Sequence, residues 1–173
     1  EPRAALRKAR RRSLAAVFAL LERWASDAPE SSADFRILLS LCKPVLTRRA
    51  TEMLHEAMML MGGNGIEERF SPLPRLHRDA VIMETWEGPH NVLLTQALRD
   101  LSRMELDPRA FVERTVGTER PAEDAPGPGR LADRLEELVT ASEERETTVA
   151  FARWAEELVA AFADGALREA GVS

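Results

Sequence analysis

The chain has 173 residues, of which 45% are hydrophobic and 31% are charged, and its formal net charge is −5 at pH 7. This size fits one domain, or one domain with a small addition, and the apolar content suffices for a buried core. The acidic balance argues against a protein whose whole surface binds nucleic acid. No apolar run approaches the roughly 20 residues that span a bilayer, and no secretory signal is recognisable.

The single cysteine and the start of the chain carry two further expectations. Because Cys42 has no second cysteine to pair with, the sequence predicts a protein of the reducing cytoplasm. The chain begins with Glu1 rather than methionine, and it has no strand-rich region. We therefore expect it to be the C-terminal piece of a longer polypeptide.

Apolar residues that recur every three or four positions predict two long helices. The first covers residues 3–26, and we expect its apolar stripe to be the buried face: Leu6, Leu14, Val17, Phe18, Leu21 and Trp24. The second covers residues 32–61, and Pro44 is expected to kink it, because proline removes one backbone hydrogen bond. Gly62 and Gly63 are expected to end it.

Shorter helical patterns follow over residues 76–85 and 91–104, and the stretch from Trp86 to Pro89 separates them. Asn91 is a candidate cap of the second of these helices. Together the spacings predict an all-α fold, an antiparallel helical bundle.

The composition changes in the C-terminal third of the chain. Residues 117–129 contain three prolines, three glycines and no large apolar side chain, so they are predicted to be a linker. The helical pattern returns over residues 130–173, interrupted by a polar stretch at 142–147 that predicts a bend. The expected organisation is a bundle over residues 1–116, the linker, and a helical appendage.

Three motifs in the middle of the chain are typical of one enzyme family. Gly62-Gly63-Asn64-Gly65 follows a predicted helix rather than a strand, so it is not a dinucleotide-binding fingerprint. Arg78-Asp79 opens the next helix, and Trp86-Glu87-Gly88-Pro89-His90-Asn91 ends it. In this order the motifs resemble the C-terminal domain of acyl-CoA dehydrogenases, nearest to the branch that contains the flavoproteins of the bacterial response to DNA alkylation. The resemblance covers about residues 1–105.

The resemblance implies an enzyme that oxidises an acyl-CoA thioester to its 2,3-enoyl form. Glu87 is then the catalytic base that removes the proton α to the thioester carbonyl, and FAD accepts the hydride from the β-carbon. The backbone N–H of Glu87 shares the polarisation of that carbonyl with a hydroxyl of the cofactor. An electron-transfer flavoprotein is the implied electron acceptor, and a homotetramer or dimer is the implied assembly.

The flavin contacts carry over to Gly62, Gly63, Asn64, Pro89 and Asn91. The glycine pair is implied to lie against the flavin of a neighbouring subunit. Two positions depart from the family pattern, since Met59 stands where a glutamine is usual and Pro89 where a threonine is usual. Asn91 could hydrogen-bond the flavin nucleotide or cap a helix.

Other groups have simpler readings. From spacing alone, Glu87 is most often an exposed loop glutamate, and Arg78-Asp79 is most often a structural salt bridge or cap. His55 is interpreted as a helix-face residue and His77 as a loop residue, whereas His90 is a loop residue close enough to tune Glu87. No metal-ligand spacing joins the three histidines.

Two alternative functions come from other classes of protein. The first is a nucleic-acid-associated flavoprotein, whose sign would be salt-sensitive duplex binding that is lost when Arg10, Arg11 and Arg12 become glutamine. A solvated helix face is the simpler reading of this basic run. The second is a non-catalytic helical module that assembles with partners, whose sign would be an exposed apolar face on the first helix.

We predict that the purified 173-residue chain does not oxidise acyl-CoA thioesters, because most of the flavin and thioester pocket of this family lies in domains upstream of the C-terminal one. The measurement is dye reduction by the chain supplied with FAD and a panel of thioesters. Robust turnover would contradict the prediction.

Overall fold

The computed structural model describes residues 2–26, 33–103, 107–118, 126–141 and 145–171, and within these ranges every regular element is an α-helix. The predicted all-α fold class is confirmed. In chain order the helices are α1 Pro2–Ser26, α2 Ala33–Met61, α3 Gly63–Ile66, α4 Leu73–Thr85, α5 His90–Arg103, α6 Pro108–Val116, α7 Pro128–Thr140 and α8 Arg145–Glu169. The described helices include no segment that could span a bilayer.

The first helix boundaries agree closely with the sequence pattern. α2 runs without interruption through Pro44 and ends at Met61, directly before Gly62. The positive φ of Gly62, +59°, is a backbone conformation that glycine adopts readily and L side chains rarely do. The predicted end of this helix at the glycine pair is therefore confirmed.

Three later boundaries differ from the prediction. α5 begins at His90, so Asn91 lies inside its first turn and is not its cap. His77 lies within α4, as the helical pattern over residues 76–85 indicates, and His90 begins α5, so the interpretation of both as loop residues was wrong. Residues 142–144 of the predicted bend lie outside the described residues, whereas 145–147 form the first turn of α8.

α6 was not predicted from the periodicity, although its start carries clear signals. The side chain of Asp107 accepts a hydrogen bond from the backbone N–H of Arg109 at 3.0 Å and so caps the helix. Pro108 occupies the first helical position, where its missing N–H costs nothing. The helix has only nine residues, which is too short for an apolar stripe to recur often.

α8 lies in the middle of the packing. It contacts α1, α2, α5, α6 and α7, and its side chains at Phe151, Trp154 and Leu158 are fully buried. The indole N–H of Trp154 donates to the carbonyl of Leu131 at 2.9 Å, so its polar atom is satisfied. The segment predicted as an appendage thus shares one apolar core with α2 and α5. The division of the chain into a bundle, a linker and an appendage stays a prediction.

Cys42 belongs to the same core. It is 1% exposed, and burial raises the pKa of its thiol to about 12. A neutral, buried thiol behaves as a small apolar side chain. Cys42 is therefore a packing residue of the core.

Most of the apolar stripe of α1 that was predicted to be buried is exposed, and this prediction was wrong. Its large residues are 41–61% exposed: Leu14, Val17, Phe18, Leu21 and Trp24. Leu6 is half-buried. α1 instead faces the core with Ala16, which is fully buried, and with Ala19 and Leu20. Periodicity shows that a helix has an apolar face, but it does not show which molecule covers that face.

Polar anchors hold α1 against the other helices. The guanidinium of Arg12 donates two hydrogen bonds of 2.6 Å to the carboxylate of Asp164 on α8, and such paired bonds are the strongest type that arginine makes. Arg23 donates to the carbonyls of Arg114 and Thr115 at 3.1 and 3.0 Å, near the end of α6. The inward face of α1 is therefore partly polar, and its second half presents large apolar side chains outward.

We predict that Trp154→Ala lowers the free energy of unfolding of this chain by about 3–5 kcal/mol, because truncation leaves a cavity at a fully buried aromatic residue. Urea unfolding followed by circular dichroism measures the loss. Trp24→Ala is the matched control, since it removes the same side chain from a site that is 56% exposed, and it is expected to cost less than about 1 kcal/mol. Equal losses in the two variants would contradict this assignment of the buried and exposed faces.

Candidate active site

The turn that joins α4 to α5 has an unusual backbone. Glu87 has a φ of +61°, and it is the one non-glycine residue of the described ranges with a positive φ. Gly88 follows with a φ of +113°. A left-handed conformation costs an L residue roughly 1–2 kcal/mol. It persists where the surrounding structure holds it, and such positions cluster at functional sites.

Lys43 of α2 holds this turn. Its ammonium group donates hydrogen bonds to the carbonyl of Trp86 and, at 2.9 Å, to the carbonyl of Gly88. One cation therefore binds the carbonyl groups on both sides of Glu87. Within the turn, the backbone N–H of Trp86 donates to the carbonyl of Ile82 at 3.0 Å, and the backbone N–H of Gly88 donates to the carbonyl of Thr85 at 3.3 Å.

Sequence reasoning did not find Lys43. The residue is one of two lysines in the chain, the other being Lys8, and it lies next to Pro44 in the second predicted helix. No periodic pattern links position 43 to position 87, because the contact joins two helices. The one available signal is a lone lysine beside a helix-internal proline, and that signal names no partner.

The side chain of Glu87 is exposed in this chain, and the neighbouring indole of Trp86 is 64% exposed. Other apolar side chains on the α4 surface are exposed too: Leu76, Val81, Ile82 and Met83. An exposed carboxylate beside exposed apolar groups is a site that a ligand or another protein surface can cover. The chain itself does not supply the dry environment that a carboxylate base requires.

His90 lies directly after the turn and contacts α2 and α4. Its Nε2 is 3.1 Å from the hydroxyl of Thr47, and its Nδ1 is 3.7 Å from the carboxylate of Glu84. Burial lowers the pKa of His90, Glu84 raises it in part, and the cations Arg48 and Lys43 lower it further. The imidazole is therefore biased toward its neutral form and serves to connect the start of α5 to α2.

A cleft of about 370 Å³ opens beside His90 and Asn91, between α2, α5 and α8. Arg48, Arg49 and Glu156 are among its lining residues. Arg49 donates to the backbone carbonyl of Glu156 at 3.4 Å. The lining carries both signs of charge, so the cleft itself does not select an anion or a cation.

The glycine motif lies at the far end of α2. A Cβ atom at Gly62 or Gly63 would meet nothing within 4 Å, so packing inside this chain does not require a glycine at either position. Gly65 differs, because a Cβ there would lie 2.3 Å from the carbonyl oxygen of Met58. Gly62, Gly63 and Asn64 are all exposed, and their backbone is open to approach by another molecule.

The predicted site residues fall into two groups that the structure does not bring together. Lys43 binds the turn that contains Glu87 and Pro89, and Asn91 follows this turn in α5. Gly62 directly follows the last residue of α2. At 1.5 Å per residue, the helix from Lys43 to Gly62 is roughly 28 Å long. One bound molecule therefore cannot contact both groups at short range unless it is long.

Arg78 forms an ion pair with Glu68, and both side chains are more than half exposed. The structural interpretation of this arginine as a salt-bridge residue is confirmed. Its pair joins α4 to the turn that precedes it, and an exposed pair of this kind contributes little to stability.

We predict that the chain becomes more stable as the pH rises from about 5 to 7, and that His90→Gln removes part of this gain. Burial lowers the pKa of His90 in the folded state below its ordinary value of 6.5, so the unfolded chain binds more protons in that window and stability rises with pH. Urea unfolding of the native chain and the variant at several pH values measures the difference. An NMR titration of His90 with a midpoint at or above 6.5 would contradict the prediction.

Comparison with known proteins identifies relatives of this chain. The family model described as the acyl-CoA dehydrogenase C-terminal domain matches residues 6–102. AidB of Escherichia coli (strain K12), a protein classed with the acyl-CoA dehydrogenases, is 34% identical over 104 residues, which is 57% of this chain and 19% of AidB. Acyl-CoA dehydrogenase family member 11 of Caenorhabditis elegans is 38% identical over 93 residues, 51% of this chain and 15% of that protein.

A solved structure extends the likeness to the whole chain. The apo form of Bd2924 matches 98% of this chain with a TM-score of 0.74 and 25% identity, and the match covers 33% of that chain. The helices α6–α8, which lie beyond the family model, are therefore part of the shared fold. This chain spans a third or less of each of these three proteins. Because the family model matches more than half of it, the chain belongs to the acyl-CoA dehydrogenase family, as a C-terminal domain.

Proposed function

We propose that this chain works as the C-terminal part of an FAD-dependent acyl-CoA dehydrogenase in which Glu87 is the catalytic base. The observation that carries the proposal is the backbone at Glu87. A carboxylate residue with a φ of +61° stands in a turn whose two flanking carbonyl groups are bound by Lys43. Strained backbone positions that the surrounding structure holds in place cluster at functional sites. Glu87 is therefore our candidate for the catalytic base of this family's reaction.

In the proposed reaction the carboxylate of Glu87 takes the proton from the α-carbon of the acyl-CoA thioester. The α C–H bond breaks and its electron pair becomes part of the new α,β double bond. When bound, FAD supplies the acceptor for the hydride that leaves the β-carbon. The backbone N–H of Glu87 donates a hydrogen bond to the thioester carbonyl, which carries negative charge as the proton leaves.

The exposure of Glu87 determines where this chemistry can occur. A glutamate becomes an effective base near neutral pH when burial raises its pKa, and in this chain Glu87 and Trp86 are both exposed. We therefore assign the activity to a complete protein, in which other domains and the bound thioester cover the turn. The exposed apolar surface of α4 is suited to such cover.

The residues that would hold FAD are Gly62, Gly63 and Asn64 at the C-terminal end of α2, and Pro89 and Asn91 at the turn that Lys43 binds near the middle of that helix. The open backbone at the glycine pair fits the approach of a flat cofactor, since no side chain shields it. The length of α2 between the groups makes it natural to assign them to the flavins of two subunits. The working protein would then be an oligomer.

Two departures bear on the strength of flavin binding. Pro89 has no hydroxyl to donate to the cofactor, and Met59 has no side-chain amide. Asn91 keeps an amide near the turn, although it lies inside α5 rather than at its cap. The proposal therefore relies on backbone groups and on Asn91 for the contribution of this chain to the cofactor site.

A role in assembly is a second candidate function, and the exposed apolar face of α1 favours it. The two functions are compatible, because an oligomeric dehydrogenase also needs a surface that joins subunits. Of the three arginines named for nucleic-acid binding, Arg12 instead forms a salt bridge with Asp164, which weakens that alternative. The proposed electron acceptor remains an electron-transfer flavoprotein.

We expect Glu87→Gln to abolish flavin reduction in the complete protein, because glutamine cannot accept the α-proton. The measurement is the absorbance of oxidised flavin after anaerobic addition of a panel of acyl-CoA thioesters. The rate should fall at least about 100-fold, with flavin still bound.

Glu113→Gln is the matched control, since it neutralises an exposed glutamate on α6, away from the turn. It should leave the rate unchanged. Flavin that is bound but not bleached by any thioester in the unaltered protein would contradict the proposed function and leave the assembly role as the better account.

A further inference from the structure

We propose that Lys43 is a positioning residue that aims both the carboxylate and the backbone N–H of Glu87. The inference rests on the proposed role of Glu87 as the base. Lys43 itself does not touch the substrate in this account. It acts through the carbonyl groups of Trp86 and Gly88, to which it donates.

The direction of the Glu87 N–H follows from the planarity of the peptide bond. The carbonyl of Trp86 and the N–H of Glu87 belong to one peptide unit, and in a trans peptide they point in opposite directions. Because Lys43 binds the Trp86 carbonyl from the side of α2, the N–H of Glu87 points away from α2. It is thereby presented on the far side of the turn, where a thioester carbonyl can accept its hydrogen bond.

The second bond fixes the other side of Glu87. The carbonyl of Gly88 lies 2.9 Å from the same ammonium group, so the backbone before and after Glu87 is tied to one point on α2. With both neighbours held, the direction of the Cα–Cβ bond of Glu87 is set as well. Charge-assisted hydrogen bonds of this kind are stronger than those between neutral groups.

α2 makes a further attachment one helical turn along. The hydroxyl of Thr47 donates to the carbonyl of Lys43 at 2.9 Å and lies 3.1 Å from Nε2 of His90. Lys43 and Thr47 are four residues apart, so they share one face of the helix. Together they hold the chain from Trp86 to His90 at two points. The tie between Thr47 and His90 can stand without Lys43, so loss of Lys43 should release the turn and not the helices.

The expected signature is a slower chemical step at nearly unchanged affinity. In the complete protein, Lys43→Met removes the ammonium group and keeps most of the side-chain stem. We expect the rate of anaerobic flavin reduction at saturating thioester to fall about 10–100-fold, since small displacements of reacting groups carry losses of that size. The thioester concentration at half-saturation should change less than about 3-fold.

Two variants serve as controls. Lys43→Arg retains a cation that can donate to both carbonyls, and it should recover most of the lost rate. Lys8→Met makes the same substitution at the other lysine of the chain, which is exposed on α1, and it should have no effect. If Lys43→Met does not fold, Lys43→Gln takes its place, because it keeps an N–H donor without the charge.

The outcomes separate this inference from the proposed function. An unchanged rate in Lys43→Met, in a protein that Glu87→Gln inactivates, overturns the role of Lys43 and leaves that of Glu87. Parallel losses of rate, thioester affinity and melting temperature that Lys43→Arg does not recover also overturn it, because they indicate a purely structural lysine. Absence of flavin reduction in the unaltered protein overturns the proposed function, and the positioning role of Lys43 with it.

Competitive labelling of amines tests the hydrogen bonds without any activity. With a limiting acylating reagent, Lys43 of the native protein should react more slowly than Lys8, and the difference should disappear in urea. Equal native reactivity of the two lysines would overturn the proposed attachment of the turn.

Discussion

The position of the candidate site depends on the burial of α8. An apolar helix with fully buried Phe151, Trp154 and Leu158 must be enclosed on several sides, and α2 and α5 are among the helices that enclose it. Once these two helices are fixed against α8, the short connection before α5 has to cross beside Lys43 and Thr47. The left-handed backbone of Glu87 lies in this connection and is held by the hydrogen bonds that Lys43 of α2 donates.

α1 differs from a helix of an isolated globular protein, because the large apolar side chains of its second half are exposed. Its salt bridge to Asp164 and the bonds of Arg23 face the bundle, whereas Phe18 and Trp24 face outward. A groove of about 800 Å³ between α1 and α2 adds to this apolar surface. Contiguous exposed apolar surface is typical of sites that bind proteins, membranes or ligands, and it supports the proposed role in assembly.

Local signals allowed much of the fold to be predicted from the sequence. Gly62 ends α2 because of its backbone freedom. Gly88 and Pro89 interrupt the helical pattern between α4 and α5. The tie from Lys43 could not be predicted, since it depends on how α2 and the turn meet in space. The place of α8 in the shared core could not be predicted either. The proline- and glycine-rich residues 117–129 suggest that the C-terminal helices are separate from the bundle, whereas the apolar pattern of α8 indicates only that the helix packs against some other surface.

A crystal structure of the complete protein with FAD and an unreactive acyl-CoA analogue would test the central claim most directly. An analogue with sulfur in place of the β-carbon suits this purpose, because it has no β-hydrogen to give. We expect the Glu87 carboxylate to lie about 3–3.5 Å from the α-carbon, covered by neighbouring groups, with Lys43 still bound to the carbonyl groups of Trp86 and Gly88. A carboxylate that points into solvent, with the thioester bound elsewhere, would contradict the account.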